Sequence, residues 1–181
     1  EAVMTPVACA SGTDRLAVVA KKIDCDIVVN IQGDEPFILP ATIDRLCAPL
    51  VKDKTLLMST LAAPLPTEDY SNPNAVKVVC DLQGNALYFS RAPIPHARDN
   101  GKLPSGLCRL HLGLYAYRRD FLLRYAAWRQ TPLEKTEKLE QLRALENGVK
   151  IRVVRVDKPT LSVDTQADLT RARKMANTLR C

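Results

Sequence analysis

The chain has 181 residues, 46% of them apolar and 25% charged. That is one domain's length, with too much apolar content for a disordered chain. No apolar run is long enough to span a bilayer, so membrane insertion is not expected. Twenty-six basic residues against 20 acidic ones leave a formal net charge of +6. This suits a pocket for an anionic substrate, or simply a basic soluble surface. No basic run or aromatic-studded pattern points to nucleic acid, so none is expected as a partner.

Residues 1–4 show no basic leader followed by an apolar core. The six cysteines, Cys9, Cys25, Cys47, Cys80, Cys108 and Cys181, form no C-x-x-C pair, and there are only two histidines. A structural zinc is therefore not expected. The cysteines read as small buried hydrophobes of a reducing compartment.

Apolar runs alternate with helical periods, which favours an α/β fold. Ser11-Gly12-Thr13 opens a short helix over 14–19 with hydroxyl caps. The β-branched run 26–31 reads as a strand buried on both faces. It ends in the polar turn Gln32-Gly33-Asp34-Glu35-Pro36. Residues 40–50 read as a helix with Pro near its first turn, and 56–61 as the next strand. Extended segments follow at 75–80, 86–90 and 109–117, the first two joined by a hairpin loop at 81–85. Residues 93–106, rich in Pro, Gly and charge, read as a long loop, and such loops are often functional. Residues 120–128 read as helical. Thr131-Pro132-Leu133-Glu134 starts a helix with a Thr cap, Pro at the first position and Glu three after the cap. That helix runs to about Asn147, with Gly148 as its stop. Residues 149–156 read as a strand, and Asp164-Thr165 opens a final helix.

Several side chains stand where chemistry is possible, and each has an ordinary structural alternative. Asp34 lies at the carboxyl end of a buried strand, where open α/β sheets bind ligands, and could hold a hard cation such as Mg²⁺. It could equally be a turn acid. Asp164 comes from a second strand end and could share that cation, or merely cap the last helix. Ser11-Gly12-Thr13 can offer backbone N–H groups to an anion, or act only as a cap. Arg91 and Arg98, near Ile94-Pro95, could pair with a carboxylate or phosphate. His111 and Tyr115, four apart on a strand, share a face and could line one pocket wall, although a lone His there is often core. Glu140 and Gln141 fall mid-helix at the flanks of an apolar stripe, where solvated surface is the ordinary reading.

Seven segments then occur in order: Ser11-Gly12-Thr13-Asp14-Arg15, Asn30-Ile31-Gln32-Gly33-Asp34-Glu35-Pro36, Asn72-Pro73-Asn74-Ala75-Val76-Lys77, Tyr88-Phe89-Ser90-Arg91-Ala92-Pro93-Ile94-Pro95, His111-Leu112-Gly113-Leu114-Tyr115, Leu139-Glu140-Gln141-Leu142-Arg143 and Val163-Asp164-Thr165. The series closely resembles the 3-deoxy-manno-octulosonate cytidylyltransferases, or CMP-Kdo synthetases, over nearly the whole chain. The resemblance implies a Rossmann-like nucleotidyltransferase sheet, mixed and mostly parallel, with helices on both faces. It also implies a smaller sugar-binding and dimerisation subdomain at roughly 75–130. The implied reaction takes CTP and Kdo to CMP-Kdo and pyrophosphate, with Mg²⁺ as cofactor. Carried over, Asp34 and Asp164 become the metal ligands. Ser11, Gly12, Thr13 and Arg15 fall near the nucleotide, and Gln32 falls between nucleotide and sugar. Arg91, Arg98, His111, Tyr115, Glu140 and Gln141 form the sugar pocket.

The resemblance further implies a homodimer. In bacteria it implies a cytoplasmic enzyme that supplies lipopolysaccharide synthesis. Two departures stand out in the motifs: Ser162 where the family usually has Gly, and Cys9 where a polar residue is common. The family's opening phosphate loop, of the type Pro-Ala-Arg-x-x-Ser-x-Arg-Leu-Pro-Gly-Lys, has no counterpart. The chain therefore reads as lacking the first strand or strands of the domain, and the 181 residues alone are expected to be inactive or nearly so. The alternatives are a cytidylyltransferase for a related acidic sugar, such as an amino analogue of Kdo or neuraminate, or a non-catalytic remnant that binds sugar or a partner subunit.

Overall fold

In the computed structural model, residues 1–9, 11–98, 103–159, 161–163 and 165–178 are described. Helix α1 (Gly12–Ala20) begins where Ser11 and Asp14 cap one another. The Ser11 hydroxyl accepts from the Asp14 N–H at 3.2 Å, and the Asp14 carboxylate accepts from the Ser11 N–H at 3.0 Å. This reciprocal pair satisfies two of the orphan donors of a helix start. Strand β1 (Ile27–Asn30) follows, then α2 (Pro40–Lys52), which opens with Pro at its first position and buries Leu46 and Leu50. Strand β2 (Met58–Pro64) is buried through Ala63, as a central strand covered on both faces must be.

After a 3₁₀ turn at Thr67–Asp69, β3 (Lys77–Cys80) and β4 (Ala86–Ser90) form the expected hairpin, with Gly84 at φ +82° in its loop. That left-handed angle favours glycine. Strand β5 (Cys108–Arg118) runs into α3 (Arg119–Ala126). Then come α4 (Pro132–Glu137), α5 (Leu142–Glu146), β6 (Ile151–Arg155) and α6 (Gln166–Thr178).

The sheet order is β4-β3-β5-β2-β6, with β1 also paired to β5. The sheet is mixed, with helices on both faces, as expected. Its balance differs from expectation: β2–β6 is parallel, whereas β1–β5, β2–β5, β3–β5 and β3–β4 are antiparallel. The mostly parallel sheet is implied by the resemblance; from the residues themselves, the hairpin loop at 81–85 already marks β3–β4 as antiparallel. One face packs Met58, Ala62, Tyr117, Ile151 and Val153 against Ala17, Phe121 and Leu142 of α1, α3 and α5. The other packs Leu61, Ala63, Leu112 and Leu114 against Leu46 and Leu50 of α2.

A second difference lies in the expected helix from 131 to about 147. It is two short helices. Lys138, at φ +54° and ψ +45°, takes the left-handed conformation and ends α4. Glu140 and Gln141 therefore sit in a break and not mid-helix. The start and stop were legible: Thr131 and Glu134 form the capping box, and Gly148 has φ +74°.

Candidate active site

Strand β5 is longer than its neighbours, and this creates the site. One edge of β5 pairs with β2 along its length. The other edge is shared: β3 takes residues 108–110 and β1 takes residues 115–118. Between the end of β1 and the start of β3 the edge at 111–114 has no strand beside it among the described residues. A cleft of about 430 Å³ opens there, within the range of small-molecule sites. Glu35 lines it from the loop after β1, Asn74 and Val76 from the approach to β3, Lys138, Glu140 and Gln141 from the α4–α5 break, and Pro159 and Ser162 from the segment before α6.

His111 and Tyr115 form its floor, and a bulge brings them together. On a regular strand four residues span about 13 Å, yet the two ring centroids are 5.6 Å apart. Between Thr60 and Leu61 the β5 partner jumps from Tyr115 to Leu112, so Gly113 and Leu114 are extra residues. Tyr115 then lies opposite Thr60 and His111 opposite Ala62, two positions apart on one face of β2. The fully buried Thr60 hydroxyl fills the bulge. It lies 2.8 Å from the Leu114 carbonyl, 3.2 Å from the Leu112 carbonyl and 3.0 Å from His111 Nε2. Phe89 packs edge-on to His111 at 4.9 Å, and the ring stack continues from Tyr115 through Tyr117 to Tyr125. Burial pulls the His111 pKa down from 6.5 to about 3, so the imidazole is neutral at neutral pH. Burial likewise pushes Tyr115 up, keeping its phenol protonated.

The opposite wall is the α4–α5 break, held by a buried ion pair. Arg143 donates from Nε to Glu134 Oε2 at 2.9 Å and from Nη2 to Glu134 Oε1 at 2.6 Å, a two-pronged clasp between the helices. Its guanidinium also lies 5.2 Å from the Tyr125 ring centre. The Tyr125 hydroxyl donates to the Glu140 carbonyl at 2.6 Å. So held, Glu140 and Gln141 turn their side chains inward. Glu140 Oε1 and Gln141 Nε2 are buried and have no hydrogen-bond partner. Arg143 Nη2, at 3.9 Å from Glu140 Oε1, is too distant to supply one. Burial raises the Glu140 pKa, opposed by a hydrogen bond from Thr13. Unmet buried polar atoms are costly and uncommon in folded proteins, and these two belong to residues that line the cleft.

The third side comes from α1 and the loop after β1. Gln32 Nε2 reaches Asn30 Oδ1 at 3.4 Å, and its amide lies beside Gly12, where an added Cβ would sit 3.8 Å from Nε2. Tyr117 hydrogen-bonds Thr13 and Asn30, and Thr13 in turn bonds Glu140. Asp34 Oδ1 is buried without a partner. The Asp34 carbonyl accepts from the Val163 N–H at 2.9 Å, so the loop carrying Asp34 is tied to the residue just before Asp164. Asp164 itself lies outside the described residues. The cap of α6 is made by Thr165 and Asp168, with the Thr165 hydroxyl accepting from the Asp168 N–H at 3.2 Å.

Of the residues expected from sequence, His111, Tyr115, Glu140 and Gln141 line one cleft, with Gly12 at the start of α1 and Gln32 and Asp34 on the loop after β1. The other nucleotide-segment side chains have local partners. Ser11 is engaged with Asp14, Thr13 is buried, and Arg15 Nη1 donates to Thr5 Oγ1 at 2.8 Å. Arg91 does not line the cleft. Its Nε donates to the Glu137 carbonyl at 2.8 Å and its Nη1 to the Pro73 carbonyl at 3.0 Å, bracing both walls. Arg98 is exposed and does not line it either. Sequence reasoning missed Thr60, Glu134 and Arg143, which build the site without facing it, and the lining residues Asn74 and Lys138. Asn74 and Arg143 lie inside the ordered motifs and Glu134 reads only as a helix-start acid; nothing in the periodicity marks Thr60 or Lys138.

Comparison with known proteins shows the family. The family model for Cytidylyltransferase matches residues 1–151. The chain belongs to the cytidylyltransferase family. It is 52% identical over 178 residues to a 3-deoxy-manno-octulosonate cytidylyltransferase of Geobacter metallireducens, covering 92% of this chain and 69% of that one. It is 54% identical over 179 residues to the enzyme of the same name from Syntrophotalea carbinolica, covering 94% and 71%. Among solved structures, CMP:2-keto-3-deoxy-manno-octonic acid synthetase complexed with CTP superposes with a TM-score of 0.91. The two are 39% identical, over 98% of this chain and 73% of that one. This cytidylyltransferase chain is thus a nucleotidyltransferase by family and by fold. No helix among its described residues is long and apolar enough to cross a membrane.

Proposed function

We propose that the protein joins CTP to 3-deoxy-D-manno-octulosonate (Kdo), giving CMP-Kdo and pyrophosphate. The observation that carries this reading is the pair of unmet buried atoms, Glu140 Oε1 and Gln141 Nε2, facing His111 and Tyr115 across the cleft. Acceptors and donors so placed suit a polyhydroxylated sugar acid. Glu140 accepts from hydroxyls, Gln141 donates, Tyr115 does either, and Lys138, the cation among the described lining residues, suits a carboxylate. Arg91 braces the walls of the cleft from outside it.

The nucleotide lies along α1 and the loop after β1 in this reading. The first N–H groups of α1, at Gly12 and Thr13, face an anion or base edge. Ser11 and Arg15 order that segment, and Gln32 stands between the two substrates. The anomeric hydroxyl of Kdo attacks the α-phosphorus, a new P–O bond forms, the bond to the β-phosphate breaks and pyrophosphate leaves. The residues work chiefly by holding the two reactants in line in a fixed polar setting.

Asp34 Oδ1, buried and unpaired, is an oxygen donor of the type Mg²⁺ takes, so the residues present fit that cation. Asp34 with Asp164 would hold it. When bound, Mg²⁺ supplies neutralisation of phosphate charge and a lowered pKa for the attacking hydroxyl. The same reading makes the protein a cytoplasmic homodimer serving lipopolysaccharide synthesis, with residues 75–130 as its sugar-binding and dimerisation part.

The test is CMP-sugar formation by the protein that carries this chain, supplied with CTP, Mg²⁺ and one of three acids: Kdo, its amino analogue or N-acetylneuraminate. Kdo is expected to be the preferred substrate. Preference for another acid would reassign the sugar, and no product with any of them would overturn the reading.

A further inference from the structure

We propose that Thr60 is a positioning residue that locks His111 in its neutral Nε2–H tautomer, so that Nδ1 faces the cleft as a hydrogen-bond acceptor for a ligand hydroxyl. The second half rests on the cleft being the sugar site; the first does not.

The argument is a count of protons. The Thr60 hydroxyl has one proton to give and two lone pairs to receive. Three groups surround it: the carbonyls of Leu114 at 2.8 Å and Leu112 at 3.2 Å, and His111 Nε2 at 3.0 Å. The carbonyls can only accept. If the hydroxyl gave its proton to Nε2, both carbonyl oxygens would face its lone pairs at contact distance in a fully buried place, and such opposition is costly there. The proton therefore goes to the carbonyls, with Leu114 the nearer. The contact to Nε2 is then attractive only if Nε2 carries a hydrogen and donates to Thr60. The ring has one hydrogen to place, because burial holds the imidazole neutral down to about pH 3. Nδ1 is left with its lone pair.

The bulge makes this arrangement possible. Only because Gly113 and Leu114 are extra do two carbonyls of β5 and a ring of the same strand converge on one β2 side chain. Thr suits the position because its hydroxyl reaches all three groups while its methyl remains in the core. A neutral acceptor does not pair with a carboxylate. His111 thus selects for a hydroxyl, and the acid group of a sugar acid is left to the Lys138 side of the cleft.

Nitrogen NMR of the two histidine rings in the 181-residue chain tests this without ligand; exposed His96 provides the comparison signal. The expected spectrum has the His111 hydrogen on Nε2 and a bare Nδ1. Thr60→Ser keeps that pattern, and Thr60→Val mixes the tautomers. Added Kdo shifts the Nδ1 signal, and its affinity falls about tenfold in Thr60→Val but less than about twofold in Thr60→Ser. Hydrogen on Nδ1 in the unsubstituted protein would overturn the proposal, as would an unchanged tautomer in folded Thr60→Val. Should Thr60→Val fail to fold, the unsubstituted spectrum and Thr60→Ser still decide. Kdo that shifts residues 138–141 while leaving Nδ1 unmoved would remove the acceptor role. Kdo that shifts nothing in the cleft would overturn the sugar-site reading, and the ligand-free spectrum would still decide the tautomer.

Discussion

The two sides of the cleft are built in opposite ways. On the α1 side, Ser11 caps Asp14, Arg15 holds Thr5 and Thr13 is buried. Those side chains are spent on local structure, and what remains for a ligand is backbone, Gln32 and Asp34. On the β5 and α4–α5 side, regular structure is broken twice, by a bulge at 113–114 and a left-handed Lys138. There the side chains are held from behind, by Thr60, Glu134 and Arg143, and their tips are left unmet. A phosphate chain can be gripped by backbone N–H groups and a cation. A sugar needs a particular pattern of donors and acceptors, and only fixed side chains supply one.

The largest expected effect breaks the supported side from behind. Arg143→Met leaves Glu134 buried without its partner and should cost about 3–5 kcal/mol of stability, read by urea unfolding. Replacing Glu134 by Leu at the same time should restore much of that loss. A fall no greater than that of an exposed arginine would mean the clasp does not hold the break.

The next effect separates the sides by pH. An unfolded imidazole takes up a proton below about pH 6.5, whereas folded His111 refuses it until about pH 3. In that window the unfolded state binds more protons, so stability falls as pH drops. His111→Asn should flatten that part of the curve, and an unchanged slope would show that the ring is not desolvated.

A smaller change probes the unmet atoms. Glu140→Gln removes a half-buried charge whose pKa desolvation already raises. Stability should hold or rise, while Kdo affinity drops about tenfold. Calorimetry on the same samples reads both, and a loss of stability with affinity intact would reverse the assignment. The smallest effect lies on the α1 side: Ser11→Ala should cost about 1 kcal/mol through the lost cap and leave Kdo affinity unchanged. Weaker Kdo binding there would blur the division.

The same division explains what the sequence reveals. The α1 side follows from local rules, because caps, a β-branched strand and a polar turn are written within a few residues. The Thr131 capping box and the Gly148 stop were legible for that reason. The break at Lys138 was not, because lysine carries no signal for a left-handed angle and the Leu spacing of 139, 142 and 145 continues a helical period across it. Glu140 and Gln141 therefore read as mid-helix from the residues, and the resemblance alone assigns them to a sugar pocket. His111 and Tyr115 were paired by an i, i+4 rule that a flat strand would have left about 13 Å apart; the bulge that unites them depends on Thr60, some fifty residues away. The mostly parallel direction comes from the resemblance; within the residues only the hairpin loop at 81–85 marks an antiparallel pair, because the other pairings join strands far apart in the chain.

The central claim is that one cleft, at the split edge of β5, receives the sugar beside the nucleotide loops. Backbone-amide NMR with Kdo, and separately with CTP and Mg²⁺, tests it most directly. The account predicts that Kdo moves residues 111–115 and 138–141, and that the nucleotide moves 11–15 and 32–34. A second hollow of about 550 Å³ lies elsewhere, lined by Pro64, Tyr70, Pro104 and Arg109. Kdo shifts confined to that hollow, with the β5 bulge and the α4–α5 break unmoved, would contradict the account.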